Sequence, residues 1–313
     1  MSDNKFKKLI DKKKMAFHDG LRNAKQMKFC YAFLAPFAIL FITFTILPIL
    51  TSVYYSFTNF NILEKPEWVG IRNYINLFLQ DDVNTIAIKN TFLMAVIIGP
   101  VGFILAFVVA WLINELPKWL RAVFVLFFYA PSISGGAIGI FTIMFRDDAQ
   151  GWVNSILIRT GIITSPLSFF TNPSIGLKVI IPICLWASMG AGFLSFVAGL
   201  KGIEQSQYEA GYIDGIQNRW QELWYITLPN MKPMLLFGAV MAITGAFSVG
   251  DVPRALAGYP STDYYARTVL THLFDYGYQR FEMGYASAIA ALLFIVMLIC
   301  NKAFQSILNR VGQ

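Results

Sequence analysis

Two groups of residues in this 313-residue chain have types and spacings suited to chemistry. The first lies within long apolar runs: Trp186, Ser188 and Ser195 in one, Thr244 and Ser248 in the next, with Asp251 closing it. Polar groups inside apolar helices are costly, so they mark places where something polar is met. An indole face against ring C–H groups and a hydroxyl against hydroxyls would suit a sugar, which makes Trp186 with Ser188 a sensible contact pair. A plainer account competes with this one. Ser and Thr hydroxyls bond back to carbonyls of their own helix, Trp186 packs against a neighbour or lipid, and Asp251 ends a helix or, with Arg254, meets a partner protein.

The second group fills residues 201–233. Ser206-Gln-Tyr-Glu209 reads as a capping box, the serine hydroxyl accepting from the N3 amide and Glu209 reaching back to the cap. Gly215 can take the left-handed conformation that ends such a helix. Asn218-Arg-Trp-Gln221 is a second start signal, for a helix through about Thr227 that Pro229 and Pro233 stop. Two short helices joined by a glycine turn make a structured knob, and such a knob needs a groove to sit in.

Other chemistry is missing. No Gly-x-x-x-x-Gly-Lys-Ser/Thr phosphate loop occurs, so the chain does not bind ATP by that mechanism and its energy must come from a partner. Cys30, Cys184 and Cys300 lie in or beside apolar runs, far apart, with none of the paired spacing of a metal or redox site. His18 and His272 are the two histidines, too few for a histidine-based zinc or iron centre.

These residues sit in an unusual composition: 56% apolar, 14% charged, with a mean hydropathy of +0.55. Soluble domains carry roughly a quarter charged residues, so an ordinary soluble enzyme and a disordered chain are both excluded. Residues 1–28 hold nine Lys/Arg against Asp3, Asp11 and Asp19, which accounts for +6 of the net +7. Basic charge concentrated beside an apolar run, rather than spread over a face, argues against nucleic acid.

A bilayer-crossing helix takes about 20 mostly apolar residues. Charge-free runs at 29–63, 90–114, 122–145, 179–200, 233–250 and 283–301 predict six spans, the fifth of them short. The run 160–177 is interrupted by Pro166, Asn172 and Pro173 and is rejected. The first run exceeds the apolar core of a cleaved signal peptide. With the N-terminus inside, the inner segments carry 16 of the 25 Lys/Arg and the outer loops eight, so both termini are predicted to be cytoplasmic. Residues 1–28 form a basic tail, 29–305 the transmembrane domain and 306–313 a second cytoplasmic tail. Within the third span, Ser132-Ile-Ser-Gly-Gly-Ala-Ile-Gly139 permits close helix approach or a flexible segment lining a path.

The stretch Glu209-Ala-Gly-Tyr-Ile-Asp-Gly215, followed by Trp220 and Ile226-Thr-Leu-Pro229, resembles the EAA loop of the permease subunits of binding-protein-dependent ABC importers. Two more stretches are similar to the carbohydrate branch of that family, the maltose and glycerol-phosphate type. They are Trp68-Val-Gly70-Ile-Arg-Asn73-Tyr74-Ile-Asn-Leu-Phe78 and Met283-Gly-Tyr-Ala-Ser-Ala288. The resemblance covers about residues 30–305. It implies an all-α polytopic membrane protein of the type I importer fold, in a bacterial inner membrane. It further implies a permease that forms half of a path for an oligosaccharide or related carbohydrate. Its partners would be a second homologous permease, two ATPase subunits that hold ATP and magnesium, and an extracellular binding protein. The coupling residues it implies are Glu209, Ala210, Gly211, Asp214, Gly215, Trp220 and Pro229, and the path residues are Trp186, Ser188, Ser195, Thr244, Ser248 and Asp251. Gly211 departs from the usual Glu-Ala-Ala pattern, a change that softens a helix. Leu256-Ala-Gly-Tyr-Pro260 departs from the glycine-rich turn of many relatives.

The alternative is a stand-alone secondary transporter or channel for a small polar solute. That function calls for ionisable residues buried within the spans, and the six runs hold none. A membrane-embedded hydrolase or transferase would need His, Asp or Glu converging on those helices, and these are likewise missing.

Overall fold

The computed structural model describes residues 28–310, so the basic tail before Lys28 lies outside the described residues. The chain divides into two units, Met1–Tyr54 and Tyr55–Gln313. Helix α1, Phe29–Tyr55, supplies nearly all the described residues of the first and ends on the first residue of the second, with a mean hydropathy of 2.4 over its most apolar stretch.

The second unit opens with a short antiparallel hairpin, β1 Thr58–Asn59 and β2 Glu67–Trp68, in which Thr58 faces Trp68. Helices α2 Arg72–Leu79 and α3 Asp82–Asn114 follow, then α4 Lys118–Ile133, α5 Gly136–Met144 and α6 Trp152–Arg159. Next come α7 Pro173–Ala187, α8 Ala191–Gly202, α9 Gln205–Ile213 and α10 Arg219–Glu222. The chain ends with α11 Leu228–Phe247, α12 Asp251–Ala257, α13 Val269–Phe274 and α14 Met283–Arg310. Four helical runs are long and apolar enough to cross a bilayer: α1, α3, the stretch Arg219–Ala257, and α14. The pairs α4–α5 and α7–α8 reach that length only together, bent by 93° and 44° at their breaks.

The run expected to form the third span is two helices. Pro131 removes the amide that would bond the carbonyl one turn back, and the chain turns extended at Ser134 (φ −113°, ψ 106°) before Gly135 and Gly136. A Cβ on Gly135 or Gly139 would meet nothing within 4 Å, so these glycines do not seat a neighbouring helix among the described residues. The fourth span breaks at Ser188–Gly190, between α7 and α8.

The fifth span is longer than its charge-free core. Pro229 and Pro233 do not stop the preceding helix. Between α10 and α11 the chain makes a π turn, Leu223–Thr227, in which the Leu228 amide donates to Leu223 O five residues back. Widening the turn moves the carbonyl that the Pro229 ring would strike and that Pro229 could not bond. Helix α1 uses the same device: the Leu47 amide donates to Ile42 O just before Pro48.

At the centre of the second unit α8 and α11 pack antiparallel. A Cβ on Gly192 would stand 3.4 Å from Gly238 Cα, one on Gly199 would stand 2.7 Å from Met231 Sδ, and one on Gly238 would collide with the Phe196 ring. Lipid tails are as apolar as leucine, so such close backbone approach and its dispersion contacts hold the pair together. Phe193 and Phe196 of α8 are fully buried, and Phe103 and Phe107 of α3 meet the Phe196 ring edge-on.

Candidate functional site

The break between α7 and α8 opens a cavity of about 300 Å³, walled by α3, by the break itself and by the C-terminal half of α11. Ser188, Ser248 and Asp251 line it, and Asp251 is the one charged side chain in its wall. Trp186, Ser195 and Thr244 do not line it. Trp186 packs between the rings of Phe127 and Phe141, at 5.7 and 5.4 Å between centroids, and its buried Nε1 has no hydrogen-bond partner among the described residues. The hydroxyls of Ser188 and Ser195 donate to Leu185 O and Gly192 O, both at 2.7 Å, so each back-bonds its own helix. Ser188 does so while still facing the cavity.

The knob stands at the other end of the α8–α11 pair. Its first helix, α9, is capped by backbone conformation and not by the expected box. Glu204 is extended (φ −66°, ψ 135°) and is the N-cap, two residues before Ser206, whose hydroxyl instead donates to Glu204 Oε2 at 3.3 Å. Gly215 is left-handed (φ +94°). The Ile216 amide donates to Gly211 O and the Gly215 amide to Tyr212 O, the two bonds of a Schellman cap. Asn218 caps α10 as expected, its Oδ1 accepting from the Gln221 amide at 2.9 Å.

Gly211 has a packing reason. A Cβ there would stand 2.6 Å from Ile226 Cδ1 and 3.0 Å from Ile216 Cδ1, so glycine lets α9 lie directly on the π turn. Two more contacts fix that seat. Asn230 Nδ2 donates to Gln207 Oε1 and to Ile226 O, and the Tyr208 and Thr227 hydroxyls meet at 3.3 Å. Arg219 grips the buried Glu222 with one nitrogen and Glu115, at the end of α3, with another at 2.9 Å. Glu209, Ala210, Asp214 and Gly215 are exposed, and so are the large apolar side chains Ile213 (87%) and Trp220 (65%). A rigid segment with an apolar exposed face is suited to docking.

The far end of α3 carries a buried polar network that local patterns in the sequence do not reveal. Asp81, the N-cap of α3, accepts from the Asn84 amide, from His272 Nε2 and from the Tyr285 hydroxyl, each at 2.9 Å. Arg267 donates to the other imidazole nitrogen at 3.3 Å and also bonds Asp275. A guanidinium can only donate and an ionised carboxylate can only accept, so the network places the imidazole hydrogen on Nε2. Burial alone would raise the Asp81 carboxyl, but the bonds from His272, Asn84 and Tyr285 hold it well below the usual carboxylate range. Asp275 is lowered in the same way, Arg267 outweighing burial.

Around this network two stretches singled out in the sequence meet. Asn73 Nδ2 donates to Ser56 O and Thr58 O, both at 2.9 Å, and the Gly284 amide donates to Phe60 O. A Cβ on Gly284 would collide with Thr58 O, so glycine at the start of α14 is what lets the hairpin close on it.

Residues 98–311 match the family described as the binding-protein-dependent transport system inner membrane component. Two relatives come from Bacillus subtilis (strain 168). The probable ABC transporter permease protein YesP is 32% identical over 271 residues, 85% of this chain and 86% of its own. The arabinooligosaccharides transport system permease protein AraP is 30% identical over 277 residues, 87% of this chain and 85% of its own. Among solved structures, a bacterial ABC transporter involved in the import of the acidic polysaccharide alginate superposes with a TM-score of 0.77 at 25% identity, over 93% of this chain and 99% of that one. The same fold recurs at TM-score 0.76 in the alginate transporter in complex with its alginate pentasaccharide-bound periplasmic protein. The family match runs from the middle of α3, through the cavity wall and the knob, to the end of α14. This chain therefore belongs to the binding-protein-dependent inner membrane components of ABC transport systems, and is a multi-pass membrane protein with a role in transport.

Proposed function

We propose that this chain is the permease half of an ATP-driven importer, passing an oligosaccharide or related carbohydrate released by an extracellular binding protein. The observation that carries the reading is the antiparallel α8–α11 pair, with a cavity that Ser188, Ser248 and Asp251 help to line at one end and an exposed knob at the other. Relatives named for sugars support the substrate class, among them AraP and a probable starch degradation products permease from Thermoanaerobacterium thermosulfurigenes, 25% identical.

On this reading each bent pair is one span, giving six, with both termini and the knob in the cytoplasm. Glu209, Ala210, Gly211, Asp214, Gly215, Trp220 and Pro229 form or position the face that enters an ATPase groove. A second permease completes the path, and two ATPase subunits bind ATP and magnesium. Ser188, Ser248 and Asp251 meet the substrate. Trp186 lies behind the wall, next to the lining Ala187, and is packed between Phe127 and Phe141.

The test is uptake into vesicles holding this chain, its partner permease and the ATPases, with binding protein outside. The substrates are labelled neutral mono-, di-, tri- and tetrasaccharides. Uptake should require ATP inside and persist when proton and sodium gradients are collapsed. Uptake driven by such a gradient without the ATPases would overturn the reading. For orientation, a cysteine at Asn218 should react with impermeant reagents from the cytoplasmic side alone, and one at Asn172 from outside alone.

A further inference from the structure

Six glycines line the cavity: Gly102, Gly190, Gly192, Gly238, Gly245 and Gly250. For four of them packing supplies a reason, and at a fifth, Gly190, a Cβ would make an ordinary contact. A Cβ on Gly102 would stand 3.0 Å from Ser188 Oγ, one on Gly192 3.4 Å from Gly238 Cα, and one on Gly250 2.9 Å from Leu270 Cδ2. One on Gly238 would collide with Phe196, and one on Gly190 would touch Ser132 at 3.6 Å. Gly245 differs. A Cβ there would meet nothing within 4 Å, and its φ lies outside the left-handed range that would call for glycine. It also sits inside α11, where glycine weakens a helix relative to alanine. Among the described residues neither packing nor a left-handed backbone asks for glycine here, and the position lines the cavity.

We infer that Gly245 sets the width of the solute path, and so the size of carbohydrate that this half of the transporter passes. The inference rests on the proposed transport function and adds a specificity-determining residue to it. At about 300 Å³ the cavity is at the small end of the range for ligand sites, so a few added carbon atoms take a large share of it. Ser248 and Asp251, which follow Gly245 across the end of α11 at Phe247, line the same cavity. A side chain grown at Gly245 narrows that cavity without removing either polar contact.

The experiment is a graded series, Gly245→Ala, Gly245→Leu and Gly245→Phe, in vesicles holding the complete transporter. Three quantities are read: uptake of each labelled saccharide, amount of chain inserted, and co-purification of the partner permease. The expected result is normal insertion and assembly in all three variants. Uptake should fall in order of side-chain size and most for the longest saccharide, by about tenfold or more between Ala and Leu, the scale on which pockets discriminate single carbon groups. Equal loss for every saccharide together with loss of the partner permease would make Gly245 a helix-contact glycine and overturn the inference. Unchanged uptake by Gly245→Phe would overturn it as well. A wild-type transporter that carries none of the saccharides overturns the carbohydrate reading, a failure visible before any variant is made.

Discussion

His272 and Asp81, separated by 191 residues, are joined by a 2.9 Å hydrogen bond that ties α13 to the N-cap of α3. The bond places an acceptor-only carboxylate where three other polar hydrogens also reach it: the Asn84 amide and the hydroxyls of Tyr276 and Tyr285.

Because Asp81 is held below the usual carboxylate range, the folded state binds its proton less readily than the unfolded chain does. The stabilisation is complete above the ordinary carboxylate pKa of about 4 and is lost as pH falls below it. Asp275 contributes to the same acid limb. Melting in detergent should be steady from neutral pH to about pH 5 and decline below. Asp81→Asn should cost about 2 kcal/mol at pH 7, the scale of hydrogen bonds to a charged group, and should flatten part of the acid decline. Equal acid sensitivity in variant and wild type would remove Asp81 from the account.

Gly215→Val tests the knob. With φ at +94° and open space around the missing Cβ, the cost is backbone strain, not collision. A β-branched residue pays at least about 1–2 kcal/mol for such a conformation. Insertion should stay near normal, because the strain is confined to the α9–α10 turn. Uptake and detergent-stable ATPase association should fall together. Normal uptake by this variant would mean that the knob is not the coupling element.

Gly211→Ala supplies the second alanine of the Glu-Ala-Ala pattern that this loop resembles, and it should destabilise here. The new methyl meets Ile226 Cδ1, and overpacking of this kind costs about 1–3 kcal/mol. Ile226→Val removes that methyl, so the double variant should recover most of the loss. The checks are melting temperatures of the four proteins in the cycle. Additive losses would show that the two groups do not collide.

Ser188 and Ser195 separate the path from its surroundings. Both back-bond with the same 2.7 Å geometry, but Ser188 alone of the two lines the cavity. Ser188→Leu should lower uptake at least about tenfold while leaving ATPase association intact. Ser195→Ala should change uptake little. Equal effects of the two substitutions would argue that neither hydroxyl meets the solute.

The apolar runs, the left-handed turn at Gly215 and the Asn218 cap were all legible in the sequence, because each is a local pattern with a local cause. The start of α9 was misread by two residues: Ser206 has the right type, but the backbone turns helical just after Glu204. The prolines misled more. Pro229 was expected to stop a helix that a π turn carries through, whereas near Pro131 the chain breaks by 93°. Proline fixes what one residue cannot do, and the surroundings decide how the rest respond. His272 was dismissed on counting grounds alone, since its partners Asp81, Arg267 and Tyr276 assemble only when both ends of the second unit's sequence come together. Of the six expected path residues, Ser188, Ser248 and Asp251 were brought to one cavity and Trp186, Ser195 and Thr244 were not. Helical periodicity alone could not divide them, because the break after Ala187 resets the face that α8 presents.

The π turn has a mechanical consequence. By carrying α10 into α11 without a joint, it makes Arg219–Phe247 one shaft of roughly 40 Å at 1.5 Å per residue. A jointed loop would transmit a push and dissipate a twist. A shaft clamped at one end by Arg219 to Glu115 and seated along its length on α8 transmits torsion as well. Rotation applied at Trp220 would turn Gly245 and Ser248 by nearly the same angle, swinging polar and empty positions of the wall past each other.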